Sequence, residues 1–210
     1  MNYVELLSQI RDIVLTITGI VGSFVAVIGL GTWRRQLYGQ SEYDIAKRLL
    51  KSLYLFREVM NNVRHPIMLY SAVPDIPKEK LETLSTRERE WYSRVQAFEK
   101  RWEPMAKVRA ELDTNVLESE VFWGNKIKDK MQPLRDLQAE LLCAIQDHLE
   151  GTNPVGHSQT YSNDDYKRNG AIMYGKGDRS KDLFLDKMLT VIEGIEAVLK
   201  PCIKKRDWIG

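Results

Sequence analysis

Apolar and polar positions follow two different patterns along the 210-residue chain. From Ile13 to Trp33 no charged residue occurs for 21 positions, in the run IVLTITGIVGSFVAVIGLGTW. As a helix this run reaches roughly 31 Å, about the hydrocarbon thickness of a bilayer. No other stretch comes close to that length without a charge. A helix with no polar face has no side to turn to water, so residues 13–33 are predicted to cross a membrane once. A cleaved leader would show a shorter apolar core, small residues at a cut site and basic residues ahead of it. Here the run ends in Trp33-Arg34-Arg35, and Glu5 and Asp12 stand beside Arg11 in front.

Beyond the run the pattern changes to apolar stripes at helical spacing, and no stretch alternates with period two. A first helix is predicted from about Ser41 to Arg64. Ser41 and Asp44 form its capping pattern, and its stripe is Ile45, Leu49, Leu53, Phe56, Met60 and Val63. Pro66 and the prolines at 74 and 77 end it. A second runs from about Ser85, boxed with Glu88, to Leu112, with Pro104 as an expected kink. A third spans about Val116 to Leu149, with Pro133 bending or dividing it. A fourth covers about Ser180 to Lys204, with Leu185, Met188, Ile192, Ile195, Leu199 and Cys202 on one face. Four such stripes can bury one another. The fold class expected is all-α: residues 1–12 as a short flank, 13–33 as the transmembrane helix and 34–210 as a cytoplasmic four-helix bundle. A polar loop is expected at about 151–179, and its length marks it as functional or unstructured.

Basic residues set the direction. Residues 1–12 hold only Arg11, whereas residues 34–51 hold Arg34, Arg35, Lys47, Arg48 and Lys51. The positive-inside bias places the N-terminus outside and the C-terminal domain in the cytoplasm. Trp33, Arg34 and Arg35 are the expected interface anchors, and Lys204-Lys205-Arg206 beside Trp208 is read as a solvated helix end that can touch the same surface. Within the run, Thr16, Gly19, Gly22, Ser23, Ala26 and Gly29 recur every three or four positions, apart from Ile17, Ile20, Phe24, Val27 and Ile28. Such small residues let helix backbones approach closely in lipid. With one span in the chain, the expected partner is another copy or another membrane protein.

Composition narrows the functions. Thirty-one basic residues against 29 acidic leave a net charge of +2, too even for the concentrated basic surface of a nucleic-acid binder. Cys143 and Cys202 lie far apart, so no disulfide framework or zinc site is expected, and both are read as small buried hydrophobes. His65, His148 and His157 have no partner at metal-ligand spacing; His148 is read as a helix-end histidine favoured by the dipole. Gly175-Lys176-Gly177-Asp178 lacks the spacing and preceding strand of a phosphate loop. Glu118 and Glu120 are read as solvating the start of a helix. Helical ribonucleases of the HEPN class carry an arginine followed four to six residues later by a histidine. Arg57 and His65 have seven residues between them, and Glu58 stands where a polar neutral residue is expected. No catalytic residue, metal or cofactor is therefore assigned.

Trp33-Arg34-Arg35-Gln36-Leu37, Glu42-Tyr43-Asp44-Ile45-Ala46-Lys47-Arg48-Leu49-Leu50, Glu118-Ser119-Glu120-Val121-Phe122-Trp123-Gly124 and Ile195-Glu196-Ala197-Val198-Leu199-Lys200-Pro201 carry a resemblance. In these motifs the chain resembles a group of uncharacterised bacterial single-span proteins, which implies a bacterial source and the inner membrane. The architecture also resembles, more loosely, the membrane accessory proteins of one class of CRISPR systems, which join a span to a helical HEPN-like domain and form pores. The expected function is a membrane-anchored, non-enzymatic interaction or scaffold protein that self-associates through its span. The expected partners are the lipid bilayer, a further copy of the chain and a protein of unknown identity, with no specific nucleic acid. The alternatives are a pore-forming or membrane-perturbing effector, as in phage defence, and a HEPN-like nuclease, degenerate or active.

Overall fold

The first proline of the chain is Pro66, so no residue before it breaks the amide ladder of a helix. In a computed structural model, which describes residues 3–66, 74–156 and 162–204, one helix accordingly runs from Tyr3 to Val63. This is α1. It is followed by α2 (Lys78–Thr83), α3 (Thr86–Trp123), α4 (Lys126–Gly151), α5 (Asn163–Met173) and α6 (Leu183–Lys204), with no strand among the described residues. The chain divides into two compact units, 1–44 and 45–210, and α1 contributes to both.

Several expected boundaries are corrected. No helix starts at Ser41, because Ser41 and Asp44 sit inside an unbroken ladder and have no free amide to cap. The break expected near residue 114 is also absent. Asp113 pairs with Arg109 and Arg135, Thr114 donates to the Ala110 carbonyl, and Asn115 turns inward to donate to Ser52 Oγ at 3.0 Å. These three polar residues read as a loop yet are helical. The true break is Gly124, whose φ of +56° ends α3. Neither Pro104 nor Pro133 divides its helix. The expected polar loop contains α5, whose N-cap Ser162 exchanges hydrogen bonds with Asp165 in a capping box. Lys205, Arg206, Trp208 and His157 lie outside the described residues.

The core of the second unit is built by the stripes. Leu49, Leu53, Phe56, Met60 and Val63 of α1 are buried with Phe98, Met105 and Leu112 of α3. Met131, Leu134, Leu141 and Ile145 of α4 and Met188, Ile192, Ile195 and Leu199 of α6 complete it, and Met173 of α5 plugs one end. Side-chain bonds fix the register. Arg48 with Glu118, and Ser52 with Asn115, set α3 antiparallel to residues 45–63. Arg135–Asp113 at 2.8 Å and Lys128–Glu120 at 3.2 Å set α4 antiparallel to α3. Tyr54–Glu196 at 2.6 Å and Arg64–Asp182 at 2.8 Å set α6 antiparallel to α1. One end of this unit therefore gathers Ile45, the α3–α4 turn at Gly124–Asn125 and the last turn of α6. The other gathers Arg64, the start of α3, the end of α4 and the start of α6.

Candidate functional site

The apolar run of α1 is exposed along its length. Between Val14 and Trp33, eleven large apolar side chains lie open, Phe24 at 69% and Val27 at 72%. Left in water, covering them would gain on the order of 10–20 kcal/mol, from about 1.5–3 kcal/mol for each full burial. Among the described residues this is the one helix long and apolar enough to cross a membrane. Three polar side chains within it turn inward on their own helix. Thr18 donates to the Val14 carbonyl at 2.7 Å, Ser23 to Gly19 at 2.8 Å and Thr32 to Ile28 at 3.0 Å. Each hydroxyl is thereby satisfied without water, as an apolar solvent requires.

The small residues form a shallow groove rather than an even stripe. Thr16, Gly19 and Ser23 make its floor with Ile20, Phe24 and Val27 beside them. At about 100° per residue, Ala26 lies at the groove's edge, and Gly22 and Gly29 fall roughly 120–140° round from Thr16. A β-carbon added at Gly19, Gly22 or Gly29 would meet nothing within 4 Å, so these glycines open the surface instead of fitting a neighbour in this chain. Trp33, Arg34 and Arg35 follow on exposed turns, and Arg35 Nε reaches the Gly31 carbonyl at 3.4 Å.

The residues considered for catalysis are engaged elsewhere. Arg57 pairs with Glu58 at 2.9 Å, and its guanidinium lies over the Tyr54 ring at 5.1 Å. His65 is exposed past the end of α1, and its carbonyl accepts from Arg101 at 2.8 Å. Glu118 and Glu120 lie near the end of α3, not the start of a helix, and pair with Arg48 and Lys128. His148 is half-buried. Burial, and then the charge of Arg94, hold its pKa below the usual histidine value, so the neutral ring outweighs the dipole effect expected from sequence. Cys143 is exposed, two positions past Leu141 and so on the opposite face of α4; Cys202 packs against the core. Tyr54 donates to Glu196, which Lys200 also holds. Burial and the Glu196 carboxylate push the Tyr54 phenol up to about 12, leaving it a donor and not a nucleophile. Among the described residues no cluster of metal-ligating side chains occurs.

The most constrained polar group was not visible in the sequence. Arg64 and Asp182, 1% and 3% exposed, form a pair in which Arg64 Nη2 donates to both carboxylate oxygens, at 2.8 and 3.0 Å. Arg64 Nε also donates to the Ile172 carbonyl at 2.6 Å, and its guanidinium lies 4.3 Å over Phe184. Asp182 accepts from the Lys176 and Leu185 amides at 3.0 and 2.9 Å, and the Gly175 amide donates to the Arg64 carbonyl at 2.7 Å. The Gly175–Asp178 segment thus folds round a carboxylate of the chain itself. A sequence signal for the pair is limited to Asp182 standing just ahead of the apolar stripe of α6, as an N-cap would.

No protein-family model, curated protein or solved structure matches the chain. What the residues offer is an exposed apolar helix with a grooved face, joined to a helical unit whose buried Arg64–Asp182 pair is fully engaged, while Ser93 Oγ and Gln138 Oε1 are buried without a hydrogen-bond partner.

Proposed function

We propose that the protein is a non-enzymatic, membrane-anchored interaction module that self-associates through residues 13–33. In this reading the anchor crosses a bacterial inner membrane once, with the N-terminus outside and a four-helix bundle in the cytoplasm that recruits a protein partner. The observation that carries it is the exposure of the whole apolar run, together with hydroxyls satisfied on their own helix. The groove at Thr16, Gly19 and Ser23 supplies a face on which a second helix can seat closely.

The test is the mass of the detergent-solubilised protein by light scattering, with Gly19→Leu and Gly22→Leu as the perturbation. A β-carbon at either position has open space around it, so each leucine adds bulk to the outer surface of the helix, where a second copy would seat. Oligomeric wild type that becomes monomeric supports the proposal; a wild type already monomeric and unchanged by both replacements rejects it. The pore-forming alternative needs a wetted helix face, for which the hydroxyls of the run are Thr16, Thr18, Ser23 and Thr32 alone. Loss of membrane potential on strong expression would reinstate it. For the nuclease alternative, the Arg57–Glu58 pair leaves Arg57 engaged beside Tyr54 rather than poised with a histidine.

A further inference from the structure

The two ends of the 45–210 unit differ in charge. At the end where the chain enters, at Ile45, the α3–α4 turn presents Lys126, Lys128 and Lys130 on exposed positions, and Lys204 closes α6 at the same level. Lys126, Lys130 and Lys204 make no ion pair among the described residues, and Lys128 pairs only with Glu120. Beside them Leu117 and Val121, one turn apart on α3, are 64% and 78% exposed. At the opposite end several basic residues are paired with carboxylates: Arg179 is held by Asp186 and Glu193, Arg168 by Asp165, and Lys181 by Asp178, while Lys78 and Lys176 make no ion pair among the described residues. A surface that joins an excess of lysines, with Asp129 the one carboxylate among residues 126–130, to exposed aliphatics matches an anionic lipid leaflet, where lysines meet headgroups and apolar side chains enter the interface.

We infer that the entry end of the helical unit docks on the anionic surface of the membrane holding its anchor, through the 126–130 lysines and the Leu117–Val121 face. This rests on the anchoring proposed above. Docking limits the unit to one orientation and presents its far end to partners. Each lysine near such a leaflet contributes roughly a fivefold factor in binding.

The experiment uses the full chain with Cys143→Ser and Cys202→Ser, reconstituted in vesicles of phosphatidylcholine alone or with phosphatidylglycerol. An environment-sensitive fluorophore is placed by Val121→Cys and, as control, by Val155→Cys near the far end. Quenching by spin-labelled lipid is read for each, and flotation after a high-salt wash is read in parallel. The expected result is flotation in both lipids, with the Val121→Cys probe quenched only in anionic vesicles and the Val155→Cys probe unquenched. Half-molar salt, or Lys126→Gln with Lys128→Gln and Lys130→Gln, should abolish the quenching while flotation persists. Salt acts on the unmodified fold, so the test survives if the triple variant misfolds. An unquenched Val121→Cys probe in anionic vesicles, or equal quenching in both lipids, overturns the docking and leaves the anchor standing. Failure to float after the wash overturns the anchor and the docking with it.

Discussion

Replacing Arg64 by alanine tests the reading of the second unit at its most demanding point. The guanidinium is 1% exposed and satisfies a carboxylate that is 3% exposed, the Ile172 carbonyl and, at 3.3 Å, the Ala171 carbonyl. Its removal leaves Asp182 charged and buried with only the Lys176 and Leu185 amides, and strips two carbonyls of their donor. Breaking a buried pair in this way costs about 3–5 kcal/mol. In a unit of this size that lowers the melting temperature by about 6–20 °C. The assay is thermal and urea unfolding of the full chain in mild detergent, followed by near-ultraviolet circular dichroism. Arg64→Met combined with Asp182→Leu should recover only part of the loss, since the apolar pair removes the stranded charge but leaves the Lys176 and Leu185 amides and the Ile172 and Ala171 carbonyls without their partners. Acidity supplies an independent arm. Burial pushes the Asp182 carboxyl up, but the Arg64 bonds, the two amides and the Arg64 charge outweigh it and hold it below the usual carboxylate value. A depressed carboxyl stabilises the fold above its unfolded pKa, and that stability is lost as pH falls from there through the folded value. In Arg64→Ala the carboxyl takes up its proton at higher pH. The gap between variant and wild type should therefore narrow between pH 7 and about pH 4.5. A cost below about 1 kcal/mol, or a gap independent of pH, would refute the pairing.

Two further outcomes are expected. His148 is held neutral in the fold, while the unfolded chain titrates near pH 6.5. Its contribution is present above that value, begins to fall below it and is gone once the folded pKa is passed; His148→Gln should flatten the stability profile between pH 7 and 5, and an unchanged slope in urea titrations would count against the burial argument. Gly124 has φ +56° and ψ −147°, and an added β-carbon there meets no atom, so Gly124→Ala should cost about 1–3 kcal/mol from backbone strain alone in the same unfolding assay.

The apolar run and the stripes were legible because periodicity over many turns outweighs any single residue. Leu49, Leu53, Phe56, Met60 and Val63 are all core residues, as their spacing required. Short or polar signals misled. α5 buries only Asn169 and Met173, one turn apart and one of them polar, which leaves no stripe to detect. Asp113, Thr114 and Asn115 resemble a loop until their partners on α4 and α1 are known. The small residues of the run do not share one line, since Gly22 and Gly29 drift roughly 120–140° round from Thr16 and spacings of three and four are not interchangeable. The Arg64–Asp182 pair was beyond reach, since nothing local to either residue names the other.

That pair also bears on how the protein is made. Arg64 meets its carboxylate 118 residues later in the chain. At about 5–20 residues per second, translation leaves Arg64 without it for roughly 6–24 s. Throughout that interval the α1 stripe has no α6 to cover it, while the apolar run ahead of it has already been synthesised. Leu49, Leu53 and Phe56 are then a temporary hydrophobic surface on a nascent chain, and a ribosome pausing before codon 183 would prolong their exposure to chaperones and proteases.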